Sequence, residues 1–117
     1  MPGLTDVVSG LAARDGVQVV VVLSGDGLAI EKAAPAAFDA DSLAALSASV
    51  IQYANRLGAG TASGALRTAV LEYQSALLVI ALVGSGESIA ILAAPTADLG
   101  SLLYDLREHR AALAALF

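Results

Sequence analysis

Two stretches of this chain leave little freedom in how it folds. Val17 to Leu23 is almost wholly β-branched and aliphatic, and Ala76 to Val83 is aliphatic throughout. Both are bounded by turn or polar residues: Asp15-Gly16 and Ser24-Gly25-Asp26-Gly27 for the first, Glu72 to Ser75 and Gly84-Ser85-Gly86-Glu87 for the second. A membrane helix needs about 18 or more consecutive apolar residues, so neither run can span a bilayer. Continuous apolarity without alternation is what central strands require when both sheet faces are covered.

The remaining elements fall around these two. Leu4, Val7, Val8 and Leu11 recur at helical spacing behind a candidate cap at Thr5, and Asp15-Gly16 ends that first helix. Ser24 to Gly27 supplies hairpin chemistry, after which Leu28 to Ala33 reads as the second strand. Pro35 lies in a connector, Asp39 or Asp41 caps a longer helix running to about Leu57, and the glycine-rich run 58–64 breaks it. Residues 66–73, 76–83 and 87–93 then form a meander, and Thr96 or Asp98 opens one closing helix bearing Leu99, Leu102, Leu103, Leu106, Leu113 and Leu116. The order is αββαβββα. Charges at Glu31, Lys32, Arg67 and Glu72 place strands 28–33 and 66–73 at the edges. The predicted fold is therefore α+β, a five-stranded antiparallel sheet with helices on both faces, forming a single domain over 1–117.

Composition narrows the function classes. The chain has 117 residues, 57% of them hydrophobic but only 15% charged, with a net charge of −5. So few charges cannot cover an ordinary monomer, which predicts that another chain covers part of the surface. Only six Lys and Arg are present, scattered along the sequence, which disfavours nucleic acid and an anionic membrane surface. The N-terminus lacks signal-peptide form, giving cytoplasmic location as the expectation.

The search for catalytic chemistry returns ordinary structural residues. His109, the single histidine, sits in a polar stretch with no cysteine or second histidine to make a metal cluster. Ser24, Ser85 and Ser88 lack a nucleophile-elbow pattern. The run at 58–64 follows a helix and carries no Lys-Ser or Lys-Thr, so it reads as a linker and not a phosphate loop. Asp26 is a turn residue, and Glu31, Asp39 and Asp41 form no carboxylate pair. The expectation is a non-enzyme with no cofactor and no metal.

The middle helix is more informative. Leu43, Leu46, Val50, Ala54 and Leu57 share one face, which is assigned to the sheet. From Ser42 through Asn55 there is no charge, and Ala44, Ala48, Ile51 and Asn55 form a second stripe of small or apolar residues suited to close helix approach. Ala45, Ser49, Gln52 and Arg56 make the remaining face, polar and lightly charged. A helix so poor in charge is expected to be covered by a partner.

The element order, the phrase Val20-Val21-Val22-Leu23-Ser24-Gly25-Asp26-Gly27-Leu28-Ala29-Ile30 and the ending Leu92-Ala93-Ala94-Pro95-Thr96-Ala97-Asp98-Leu99-Gly100-Ser101-Leu102-Leu103 resemble the roadblock/dynein light chain family, of profilin-like fold. The likeness is greatest to bacterial members, including MglB-type regulators of small Ras-like GTPases. The resemblance implies a homodimer with middle helices packed antiparallel and third strands joined edge to edge. Ala44, Ala48, Ile51, Asn55, Arg67, Ala69 and Leu71 would then line the dimer interface. Ala45, Ser49, Gln52 and Arg56 would meet a GTPase. A structural scaffold or dynein-light-chain-like subunit, pairing with a different roadblock chain, is the alternative that the same resemblance implies.

Overall fold

The computed structural model describes residues 3–117. Its elements are α1 (Leu4–Ala12), β1 (Val17–Leu23), β2 (Ala29–Ala33), α2 (Ala40–Gly60), β3 (Thr68–Glu72), β4 (Leu77–Leu82), β5 (Ser88–Ala93), α3 (Leu99–Glu108) and α4 (Arg110–Ala114). The strands form one sheet in the order β2-β1-β5-β4-β3, with every neighbouring pair antiparallel. The two aliphatic runs, β1 and β4, flank the central β5, and the charged strands β2 and β3 are the edges, as their sequences predict.

Strand alternation divides the core into two layers. Val20, Val22, Val79, Ala81, Ile89 and Ile91 point to one face, where they pack with Val8, Leu102, Leu106 and Leu113 of α1, α3 and α4. Val19, Val21, Leu23, Leu78, Ile80 and Ala90 point to the other and meet Ala40 and Ala44 of α2. Helices thus cover both faces.

Three local features differ from the sequence expectation, each for a visible reason. The cap of α1 is Gly3, whose amide donates to Asp6 Oδ2 at 2.9 Å; Thr5 lies inside the helix and its hydroxyl donates to Glu31 Oε2 on β2. α2 runs past Gly58 to Gly60. A Cβ on Gly58 would collide with the Gly64 carbonyl oxygen, so this glycine admits the returning loop and does not end the helix. The closing helix is two: His109, at φ −102° and ψ 15°, departs from helical geometry, ending α3 and preceding α4.

At the start of α2 the Asp39 carboxylate accepts from Ser42 N at 3.0 Å and from the Ser42 hydroxyl at 2.8 Å. These bonds favour the charged form and hold the Asp39 pKa below its ordinary 3.8. A depressed carboxylate contributes stability that is full above the unfolded value and is lost as pH falls through the folded one. Asp39→Ala is therefore expected to lower the melting temperature at pH 7, and the gap to wild type should close on acidification below about pH 3.8. Thermal melts followed by circular dichroism across that range check both parts.

Gly27 closes the β1–β2 turn at φ 81°. A Cβ there would sit 3.1 Å from Ala48 Cβ and 3.3 Å from Ala45 Cα, so the turn lies directly against α2. Gly27→Ala is expected to cost about 1–2 kcal/mol from the left-handed backbone alone, plus whatever α2 must yield. Chemical denaturation measures it.

Candidate interaction surface

How α2 sits on the sheet decides what the molecule offers to others. Its sheet-facing line is Ala40, Ala44 and Ser47, all buried, flanked by the half-buried Leu43, Ala48, Val50 and Ile51. Small residues occupy this line because the helix approaches the sheet and the Gly27 turn closely. The large ones are displaced outward. Leu46, Tyr53 and Leu57 are 66%, 66% and 70% exposed.

This corrects the facing read from the sequence. Leu46 and Leu57 do not pack on the sheet; with Leu43, Val50 and Tyr53 they follow alternating spacings of three and four, the seam pattern of paired helices. Ala44, assigned to a sister-helix contact, is fully buried in its own chain's core and has no surface to give a partner. Ala48 and Ile51 are likewise half-buried against that core. Asn55 is half-buried, its side-chain oxygen accepting from Leu66 N at 2.8 Å, which ties the end of α2 to the segment entering β3. The seam was detectable by adding Tyr53 to the leucines and asking which line is small enough to lie on a sheet.

Beside the seam, Ala45, Ser49, Gln52 and Arg56 are exposed. Ser49 donates back to Ala45 O at 3.4 Å, and the Arg56 guanidinium lies 5.2 Å from the Tyr53 ring centroid, a cation–π contact. The polar face and the seam thus meet at one pair of side chains.

The sheet extends this surface. α2 lies chiefly over β1, β2 and β5; on the same side of the sheet Leu78 and Ile80 of β4 are buried, and cover thins only towards the edge strand β3. Ala69 and Leu71 of β3 point to that side and are half-buried, while Val70, on the other face, is 40% exposed. β3 pairs with β4 alone, so its outer edge offers free backbone donors and acceptors. Arg67 is exposed just ahead of β3, its carbonyl accepting from Leu82 N at 2.9 Å.

Among the residues singled out for possible chemistry, His109 and Ser88 lie on separate elements. No group of three or more His, Asp or Glu is placed to hold a metal ion. The exposed His109 ring lies 2.9 Å from Asp105 O at the α3–α4 break, and Ser88 is buried in β5. No helix among them is long and apolar enough to cross a membrane.

Residues 4–93 match the family model of the Roadblock/LC7 domain, and the chain belongs to that family. Among solved structures, it is similar to a Roadblock/LC7 domain from Streptomyces avermitilis, with 30% identity and a TM-score of 0.85 over 96% of this chain and 95% of that one. MglB of Myxococcus xanthus superposes with a TM-score of 0.87 at 20% identity, covering 97% of this chain and 93% of its own. The gliding protein MglB of Thermus thermophilus does so at 0.83 and 16% identity, over 99% and 93%. The two MglB likenesses are of fold. No curated protein sequence matches the chain.

Proposed function

We propose that this chain acts in the cytoplasm as a non-enzymatic homodimer that binds a small Ras-like GTPase and modulates its nucleotide state or location. Its main support is the seam Leu43, Leu46, Val50, Tyr53 and Leu57, of which Leu46, Tyr53 and Leu57 stand exposed, beside the half-buried Ala69 and Leu71 and the unpaired edge of β3. A second copy fits there with one two-fold operation, its α2 on the seam and its β3 edge on the free edge. Ala69 and Leu71 then meet their own counterparts. Arg67 lies beside that junction. Ala48, Ile51 and Asn55 support α2 from within the chain instead of carrying the contact.

Pairing leaves Ala45, Ser49, Gln52 and Arg56 as the free side of α2, doubled by the two-fold into one platform for a third protein. Likeness in fold to the MglB proteins favours a GTPase as that protein. The chain supplies no phosphate loop, so the bound GTPase carries out any hydrolysis. Light scattering at micromolar concentration should give twice the chain mass of 11.6 kDa. A monomer would remove the platform. The purified chain alone is expected to leave GTP unhydrolysed over hours; turnover abolished by a point substitution in this chain would contradict the proposal.

A further inference from the structure

Away from the seam, a cleft of about 700 Å³ opens where the segment after α2 passes the α3–α4 break. It is lined by Gly58, Ser63, Gly64, Arg67, Arg107 and Arg110 among others, with no acidic residue in its wall. Three of the chain's six basic residues therefore converge on one concavity in a protein whose net charge is −5. They come from separate places, Arg67 from the entry to β3 and Arg107 and Arg110 from either side of His109. Only the fold brings them together.

Three guanidiniums at one site repel one another unless something negative lies between them. In this chain that partner is not a carboxylate, for among the described residues the one ion pair joins Arg14 to Asp105, elsewhere on α3. Arg107 gains from standing in the last turn of α3, where a cation complements the helix dipole. That does not account for Arg67 or for the half-buried Arg110. We infer that the cleft is a binding site for a small phosphate-bearing ligand, carrying at least two phosphoryl groups. Planar guanidinium forks match phosphate oxygens two bonds at a time, and the hydroxyls of Ser63 and Thr68 in the same wall add donors. A volume of this size is typical of small-molecule sites, whose clefts fall between about 300 and 1,000 Å³. Three positive charges balance a diphosphate better than a single phosphate. The site adjoins the β3 edge, sharing Arg67 and Thr68 with it, and does not rest on the proposed GTPase.

Titration calorimetry of pyrophosphate and of inorganic phosphate into the full chain, at about 150 mM salt to suppress diffuse attraction, tests this. Pyrophosphate is expected to saturate one site per chain and to bind more tightly than inorganic phosphate. Arg67→Gln and Arg107→Gln, both at exposed positions, should each weaken it about tenfold or more, as loss of a charge-assisted contact does, while both variants stay folded and Arg107→Gln lowers the melting temperature only by its lost helix-end interaction. Lys32→Gln removes the same charge on the far edge strand β2 and should leave the affinity as it was. Equal weakening by Lys32→Gln would reduce the effect to net charge and overturn the site. So would the absence of saturable binding, or pyrophosphate binding that Arg67→Gln and Arg107→Gln both leave intact.

Discussion

Replacing Leu46 and Leu57 together by glutamate is expected to halve the mass of the particle in solution, from twice 11.6 kDa to 11.6 kDa, and to leave the chain folded. Both side chains are mostly exposed within their own chain, where substitutions usually change stability by no more than about 0.5 kcal/mol. The dimer experiences them differently. In an antiparallel pair each seam residue occurs twice, so the double variant places four carboxylates in one apolar contact. Taking about 2 kcal/mol for each of the four buried anchors lost, about 8 kcal/mol in all, gives roughly a millionfold rise in Kd. Sedimentation equilibrium reads the mass, and the melting temperature of the variant should no longer rise with protein concentration. A dimer that survives the change would move the contact elsewhere, for instance to the exposed Leu28 and Ile30 at the β2 edge.

Gln52→Glu with Arg56→Glu should do the reverse, preserving the dimer while removing the partner. Both positions are exposed, and the one intramolecular contact forfeited is the Arg56–Tyr53 stacking, worth about 0.5–1 kcal/mol at such a site. On the doubled platform the change introduces four carboxylates and deletes both arginines. Charge reversal in a protein interface costs about 2–5 kcal/mol, so affinity for a Ras-like GTPase in its GTP-analogue form should fall by roughly thirtyfold or more. Titration calorimetry on a variant confirmed dimeric by mass separates this from misfolding. Unchanged affinity would place the GTPase on another surface.

The sheet was readable because its information is local: an aliphatic run between turn signals defines a central strand, and Glu31, Lys32, Arg67 and Glu72 mark the edges. The facing of α2 was not. A helical wheel ranks residues by apolarity, and it gave Leu46 and Leu57 to the sheet, whereas α2 buries Ala40, Ala44 and Ser47 and meets the Gly27 turn at Ala45 and Ala48. Two apolar stripes on one helix cannot be told apart by hydropathy when one is small enough to be core and the other large enough to be interface. Ala45, Ser49, Gln52 and Arg56 emerged as the outer polar face in either reading. The break at His109 is a local departure of one residue's backbone, φ −102° and ψ 15°, which no periodicity reveals. The arginine cleft was hidden for a different reason: Arg67 and Arg107 lie forty positions apart and look scattered until the chain folds.

The central claim is that a dimer of this chain recognises a small Ras-like GTPase through the outer side of its paired α2 helices. Its most direct test is capture from a lysate of the native host on immobilised protein, with parallel arms supplemented with GTP analogue or GDP, and with the Gln52→Glu/Arg56→Glu variant alongside. The retained proteins are identified by mass spectrometry. The expected result is one Ras-like GTPase enriched in a nucleotide-dependent manner on the wild-type chain and lost from the variant. A dimer that retains no GTPase in either arm, or retains one equally on wild type and variant, would contradict the claim and favour a scaffold.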